Sequence, residues 1–165
     1  MIINFNQEWY NNAIEEQRER APFMMTKFAD NAARKAGQLR GLVIEHHVSG
    51  WFKTTYPEYY LEPDNYRQWT KICSHDFKLK INFKVHFIDV TGPKKDGSFG
   101  SYDYKPKAGV DYHILCTALG FISWDNCNFS KGFKVLGVVK AADYLPTLDN
   151  DKIIQFDNWL KSIGL

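Results

Sequence analysis

From residue 76 onward, apolar and polar positions alternate with the period of two that marks extended chain. DFKLK (76–80) and FKVHFIDV (83–90) are separated by a short break that includes Asn82. This spacing predicts a β-hairpin turning near Asn82, with Asp76 facing Asp89 across the pair. VDYHILCTAL (110–119) and FKVLGVVKA (133–141) are two further apolar runs of strand length rich in β-branched residues. Before residue 56 the period is helical instead. Asn6 is placed to cap a helix from Gln7 to about Arg20 that Pro22 ends, and residues 27–52 continue in good helix formers. YPEYYLEPDN (56–65) is a proline-punctuated connection, after which Asp64 is placed to cap a short helix through YRQWTKIC (66–73). The closing stretch 149–164 reads as an amphipathic helix, with Ile153, Phe156, Leu160 and Ile163 on one face and Gly164 at the stop position. Helices, then about four strands, then a helix predict a single α/β domain over residues 1–165 with one mixed central sheet.

Two acids interrupt the strand pattern. Asp89 extends an apolar face with Phe83, Val85, Phe87 and Thr91, while Asp76 opens the preceding run on the face of Lys78 and Lys80. Facing carboxylates repel and raise one another's pKa unless a cation lies between them. Oxygen-only ligation by several carboxylates suits Mg²⁺ or Mn²⁺. The plainer alternative makes Asp76 a turn residue and Asp89 a strand-end cap. Glu45, in GLVIEHHVSGWF (41–52), shares a helix face with Gly41, Leu42, Val48, Ser49 and Phe52. An ionised carboxylate on such a face is costly unless it is paired or reaches water or a neighbour such as Arg40.

Composition changes this picture little. The chain of 165 residues is 44% hydrophobic and 24% charged, and its net charge of +2 does not by itself announce nucleic acid. The aromatic fraction is high at 16%. The cysteines Cys73, Cys116 and Cys127 are odd in number and lack CxxC spacing, which predicts free thiols in a reducing compartment. No signal-peptide pattern and no apolar run of about 20 residues are present, so a cytoplasmic location without membrane insertion is expected. The histidines lack paired zinc-ligand spacing, and no GxxxxGK[ST] phosphate loop follows a strand.

The loop from Thr91 to Gly109 interleaves Lys94, Lys95, Lys105 and Lys107 with Phe99, Tyr102 and Tyr104. Lysines among aromatics suit phosphate contact with base or sugar packing, although a solvated surface loop has the same composition. Because the loop leaves the sheet directly after Asp89, the nucleic-acid reading is the one adopted. Arg34, Lys35 and Arg40 on the preceding helix extend the expected basic rim.

In order and type these segments resemble the PD-(D/E)XK nuclease superfamily, with its restriction-endonuclease-like fold. A helix carries a glutamate (Glu45), an aspartate opens a strand (HDFKL), and IDVT closes the next strand; the likeness spans roughly residues 37–146. The resemblance implies a Mg²⁺-dependent endonuclease acting on DNA. Asp76, Asp89 and the Val90 carbonyl would hold the metal, with Glu45 binding a second metal or a metal-bound water. His75 stands where the family has proline, and Thr91 stands where it has its lysine. Lys78, on the strand face of Asp76, is the expected substitute, with Lys94 and Lys95 next. A homodimer is expected by analogy with small nucleases that cut both strands. Three rivals stay open: a nuclease-like domain that binds DNA without cutting, an interaction domain whose acids form internal salt bridges with Lys78 and Lys84, and a small-molecule enzyme with an aromatic-lined pocket.

Overall fold

The structure is a computed structural model that describes residues 1–23, 32–64, 66, 75–123 and 126–165. Asn6 begins the first helix as its residue type requires. Its side-chain oxygen accepts from the Trp9 backbone N–H at 3.0 Å, and α1 (Gln7–Arg20) follows. The second helix, α2 (Ala32–Thr55), packs against α1 and buries Leu42, Val43, Ile44, Val48 and Phe52. The expected short helix at 66–73 falls largely outside the described residues, as does Cys73.

The sheet is mixed and has six strands in the order β1-β6-β5-β4-β3-β2: β1 (Ile2–Ile3), β2 (Tyr60–Leu61), β3 (Phe77–Ile81), β4 (Lys84–Thr91), β5 (Tyr112–Ser123) and β6 (Asn126–Lys140). The two strands beyond the expected four are two-residue edge strands, too short to carry any periodicity of their own. β3 and β4 form the expected hairpin, with Phe77 facing Ile88 and Ile81 facing Lys84. Asn82 and Phe83 turn it at φ 48° and 65°, the left-handed geometry of a tight hairpin turn. β4 and β5 pair in parallel, and the segment from Gly92 to Asp111 makes that crossover without a helix.

Alternation divides the sheet into two unlike faces. Ile88, Ile114, Cys116 and Val138 join the core beneath α2, together with Trp159 of the final helix α3 (Phe156–Ile163). On the other face His113, Leu115, Val139 and Tyr144 form a smaller layer with Phe99. α3 is shorter than the expected helix. Ile154 bridges to Val138 as an added strand residue, and residues Asn150–Lys152 form a 3₁₀ turn capped by Asp149. The apolar spacing at Ile153 therefore reflects two packing roles rather than one helix.

Phe83 is fully exposed, so its ring contributes no packing to offset the positive φ. Phe83→Gly is expected to stabilise the protein by about 0.5–1 kcal/mol, read as a higher urea midpoint with unchanged slope.

Candidate functional site

Asp89 lies near the end of β4 on the strand face opposite Ile88, and only 8% of its surface is exposed. Three groups compensate the buried carboxylate. The Lys107 ammonium, reaching back from the loop, bonds Oδ1. His113, its parallel neighbour on β5, donates from Nδ1 to Oδ2 at 2.9 Å. The Thr91 hydroxyl donates to the same oxygen at 3.1 Å. An ionised carboxylate only accepts, which puts a His113 proton on Nδ1 and leaves Nε2 on the side of the ring away from Asp89. That nitrogen is buried without a hydrogen-bond partner among the described residues. Burial pushes the Asp89 carboxyl up, but the His113 hydrogen bond and the Lys107 charge outweigh it and hold the group below the usual range.

Asp76 occupies the bend before β3, where its backbone N–H donates to the Ile88 carbonyl at 2.8 Å. Its Oδ2 accepts from the Val90 backbone N–H at 2.7 Å. The expected facing of Asp76 and Asp89 is therefore realised as a continuation of the hairpin register. Burial first, then the charge of Asp89, raises the Asp76 carboxyl to about 8. Glu45 comes from α2 and is held well above the usual carboxylate range by burial, then by Asp76, Glu16 and Asp89. The three acids thus share one electrostatic neighbourhood with Asp76 as the strongest neighbour of Glu45. Glu16 of α1 enters it too. It is paired with His46 at 2.6 Å and with Arg20, and the sequence pattern did not single it out.

Asp89 opens into a cleft of about 860 Å³. One wall is α2 at Arg40, Gly41 and Ile44, and the other is the loop from Gly92 to Lys107. Ile44 packs so closely on Gly92 that a β-carbon there would sit 3.1 Å from its Cδ1, which brings α2 against the end of β4. Glu45 and Asp76 are not among the lining residues. The basic residues divide. Lys94 and Lys105 line the cleft, Lys95 is exposed, and Arg40 is in the wall but buried. The side chains of Arg34 and Lys35 lie outside the described residues.

Lys78 does not take the place expected of it: its ammonium bonds Asp64. The lysine that reaches the acids is Lys107, whose pKa is raised because Asp89, then Asp76 and Glu45, outweigh the cost of its burial. It lies in a loop 18 residues from Asp89, so no strand period could reveal it. His113 was legible only once β4 and β5 were known to run in parallel. The internal salt bridges also differ from those expected, joining Lys107 to Asp89 and Lys78 to Asp64.

In type, carboxylates in which Asp89 raises the pKa of Asp76, and both raise that of Glu45, form a donor set that a hard divalent cation relieves. As the side chains stand, no group of three or more His, Cys, Asp or Glu among the described residues is arranged to hold a metal ion. The positive charge beside Asp89 is the Lys107 ammonium.

The shifts imply opposite pH dependences. Asp76 and Glu45 bind protons more tightly folded than unfolded, so the stability they contribute is present at low pH and declines as pH rises, for Asp76 up to about 8. Asp89 does the reverse, contributing above its ordinary carboxylate pKa and losing that contribution as pH falls. Asp76→Asn is expected to raise the unfolding midpoint at pH 8 and to change it little at pH 4. A tenfold difference in proton affinity between the folded and unfolded chain corresponds to about 1.4 kcal/mol, and denaturant titrations at the two pH values measure it. No described helix is long and apolar enough to cross a membrane. Comparison with protein-family models, with curated proteins and with solved structures finds no match to this chain.

Proposed function

We propose that this protein is a Mg²⁺- or Mn²⁺-dependent nuclease acting on DNA, with Asp89 at the reaction centre. The observation that carries the reading is the setting of Asp89. It sits within a lysine- and tyrosine-lined cleft, carries a lysine ammonium on one oxygen, and is close enough to Asp76 and Glu45 for its charge to raise both of their pKa values. Asp89 and Asp76 would hold the cation, with the Val90 carbonyl assisting and Glu45 beside them. A bound divalent ion supplies a polarised phosphate and a more acidic water.

The chain's own residues set the remaining terms. His113 and Thr91 fix the Oδ2 edge of Asp89, so its orientation does not depend on substrate. Lys107 fills the role left vacant by Thr91. Its ammonium would meet the negative charge that builds on a phosphate brought to Asp89, a placement that contributes several kcal/mol to phosphoryl transfer. Binding an ion requires Lys107 to turn from Asp89 toward that phosphate, and its half-exposed side chain leaves room to do so. Cutting both strands of a duplex calls for two such centres, which a homodimer supplies.

One observation favours a second reading, DNA binding without cleavage. Both oxygens of Asp89 are already engaged, by Lys107 on one side and by His113 and Thr91 on the other. Cleavage assays on plasmid and single-stranded DNA, with Mg²⁺ or Mn²⁺ against EDTA, decide between them. Under the nuclease reading, Asp89→Ala abolishes cleavage and Lys107→Ala lowers it by about 10²–10³-fold. Lys78→Ala, whose target breaks only the pair with Asp64, stays within about threefold of wild type. DNA retention without cleavage in either metal means that the second reading holds.

A further inference from the structure

The loop that walls the cleft is built into the fold rather than draped over it. Its first turn closes on itself, Lys94 N–H to Ser98 carbonyl at 2.7 Å and Gly97 N–H to Lys94 carbonyl at 2.9 Å. It is then fastened to the segment after β6. Gly100 N–H donates to the Tyr144 hydroxyl at 3.2 Å, Ser101 N–H to the Leu145 carbonyl at 3.0 Å, and the Lys94 ammonium to the Pro146 carbonyl at 3.2 Å. Gly100 adopts φ 149° with its α-carbon so close to the Pro146 carbonyl that a β-carbon would sit 2.5 Å from it. Only glycine allows that approach. At the far end Lys107 ties the loop to Asp89.

What this anchored wall presents is specific. Tyr102 and Tyr104 are 77% and 87% exposed, although an aromatic ring buries readily when a core site exists. Lys94 lies over the Tyr102 ring at 5.3 Å from its centroid, and Lys105 is exposed between Tyr104 and Lys107. Aromatic faces alternating with ammonium groups match a ligand that alternates flat rings with phosphates. A double helix does not offer that pattern, because its ring faces are stacked inside and only its phosphates and base edges face outward. The cleft volume, about 860 Å³, also falls within the roughly 300–1,000 Å³ of sites that enclose small molecules.

We infer that the cleft takes an unpaired stretch of DNA, with bases stacked on Tyr102 and Tyr104 and the backbone led past Lys105 toward Lys107 and Asp89. The inference rests on the nuclease reading only for which end of the cleft is the reaction centre. The recognition itself needs no metal and no cleavage. Tyrosine stacking supplies sequence-tolerant affinity, the lysines supply charge, and the anchored wall spares the cost of ordering a loop on binding.

The test measures binding in EDTA by fluorescence anisotropy, using a labelled oligothymidine of roughly 12 nucleotides and a blunt hairpin duplex of equal charge. The oligothymidine is expected to bind at least tenfold tighter. Tyr102→Ala and Tyr104→Ala each weaken it by roughly 5- to 100-fold and leave duplex binding unchanged. Tyr104→Phe, which keeps the ring face, binds like wild type, and circular dichroism confirms that these exposed substitutions leave the fold intact. Lys105→Ala lowers the salt slope of strand binding by about one. Equal or tighter duplex binding, or alanine variants that bind the oligothymidine like wild type, overturns the inference. Strand binding without cleavage in Mg²⁺ or Mn²⁺ removes the nuclease reading and leaves this one standing. Cleavage with no preference for the unpaired strand does the reverse.

Discussion

A carboxylate buried at the end of a central strand has to be neutralised where it stands, because desolvating an unpaired charge costs far more than a domain of this size has in reserve. Asp89 imposes that requirement on its surroundings. The parallel neighbour on β5 must be a hydrogen-bond donor, and His113 is. The loop between the strands must return a cation to the strand it left, and Lys107 does so. Tyr144 stacks on the His113 ring at 4.3 Å between centroids and holds the loop through its hydroxyl, so the layer behind the acid and the wall in front of it are fastened to one side chain. Removing Asp89 would leave Lys107 without the contact that returns the loop to the sheet.

The second acid is positioned by a different rule. Asp76 owes its place to hairpin register, and two-residue turns fix register tightly. Once Ile81 faces Lys84, the pairing carries Asp76 to the level of Asp89. Nothing in that geometry brings a counterion to Asp76. Burial and the repulsion of Asp89 outweigh its backbone N–H bond and the more distant charges of Lys107 and Arg20, and its carboxyl is correspondingly held toward the neutral form. Two carboxylates, one charged and compensated, one nearly neutral, is the division of roles that environments impose on acid pairs.

Legibility from sequence followed interaction range. Asn82, the alternation on both sides of it and Asn6 as a cap are local signals, and the hairpin and the start of α1 follow from them. Glu45, Asp76 and Asp89 stood out because each is an acid on an otherwise apolar face, and the three do interact in the folded chain. Lys78 misled because alternation gives the face of a side chain but not the partner it finds, and Asp64 was nearer. The lysine at Asp89 comes from an irregular loop and the histidine from a parallel strand, and both are contacts of long sequence separation that no local pattern encodes. The same holds for the edge strands β1 and β2, which exist only because β6 and β3 offer them an edge.

The helix-free crossover between β4 and β5 also bears on the order of assembly. The hairpin closes a two-residue turn, an event of microseconds, whereas pairing β5 with β4 first requires closing the long segment from Gly92 to Asp111. Asp76 and Asp89 therefore come together before Lys107 and His113 arrive. The contacts that compensate Asp89 thus belong to the slow, long-range part of assembly, while the register that places Asp76 belongs to the fast, local part.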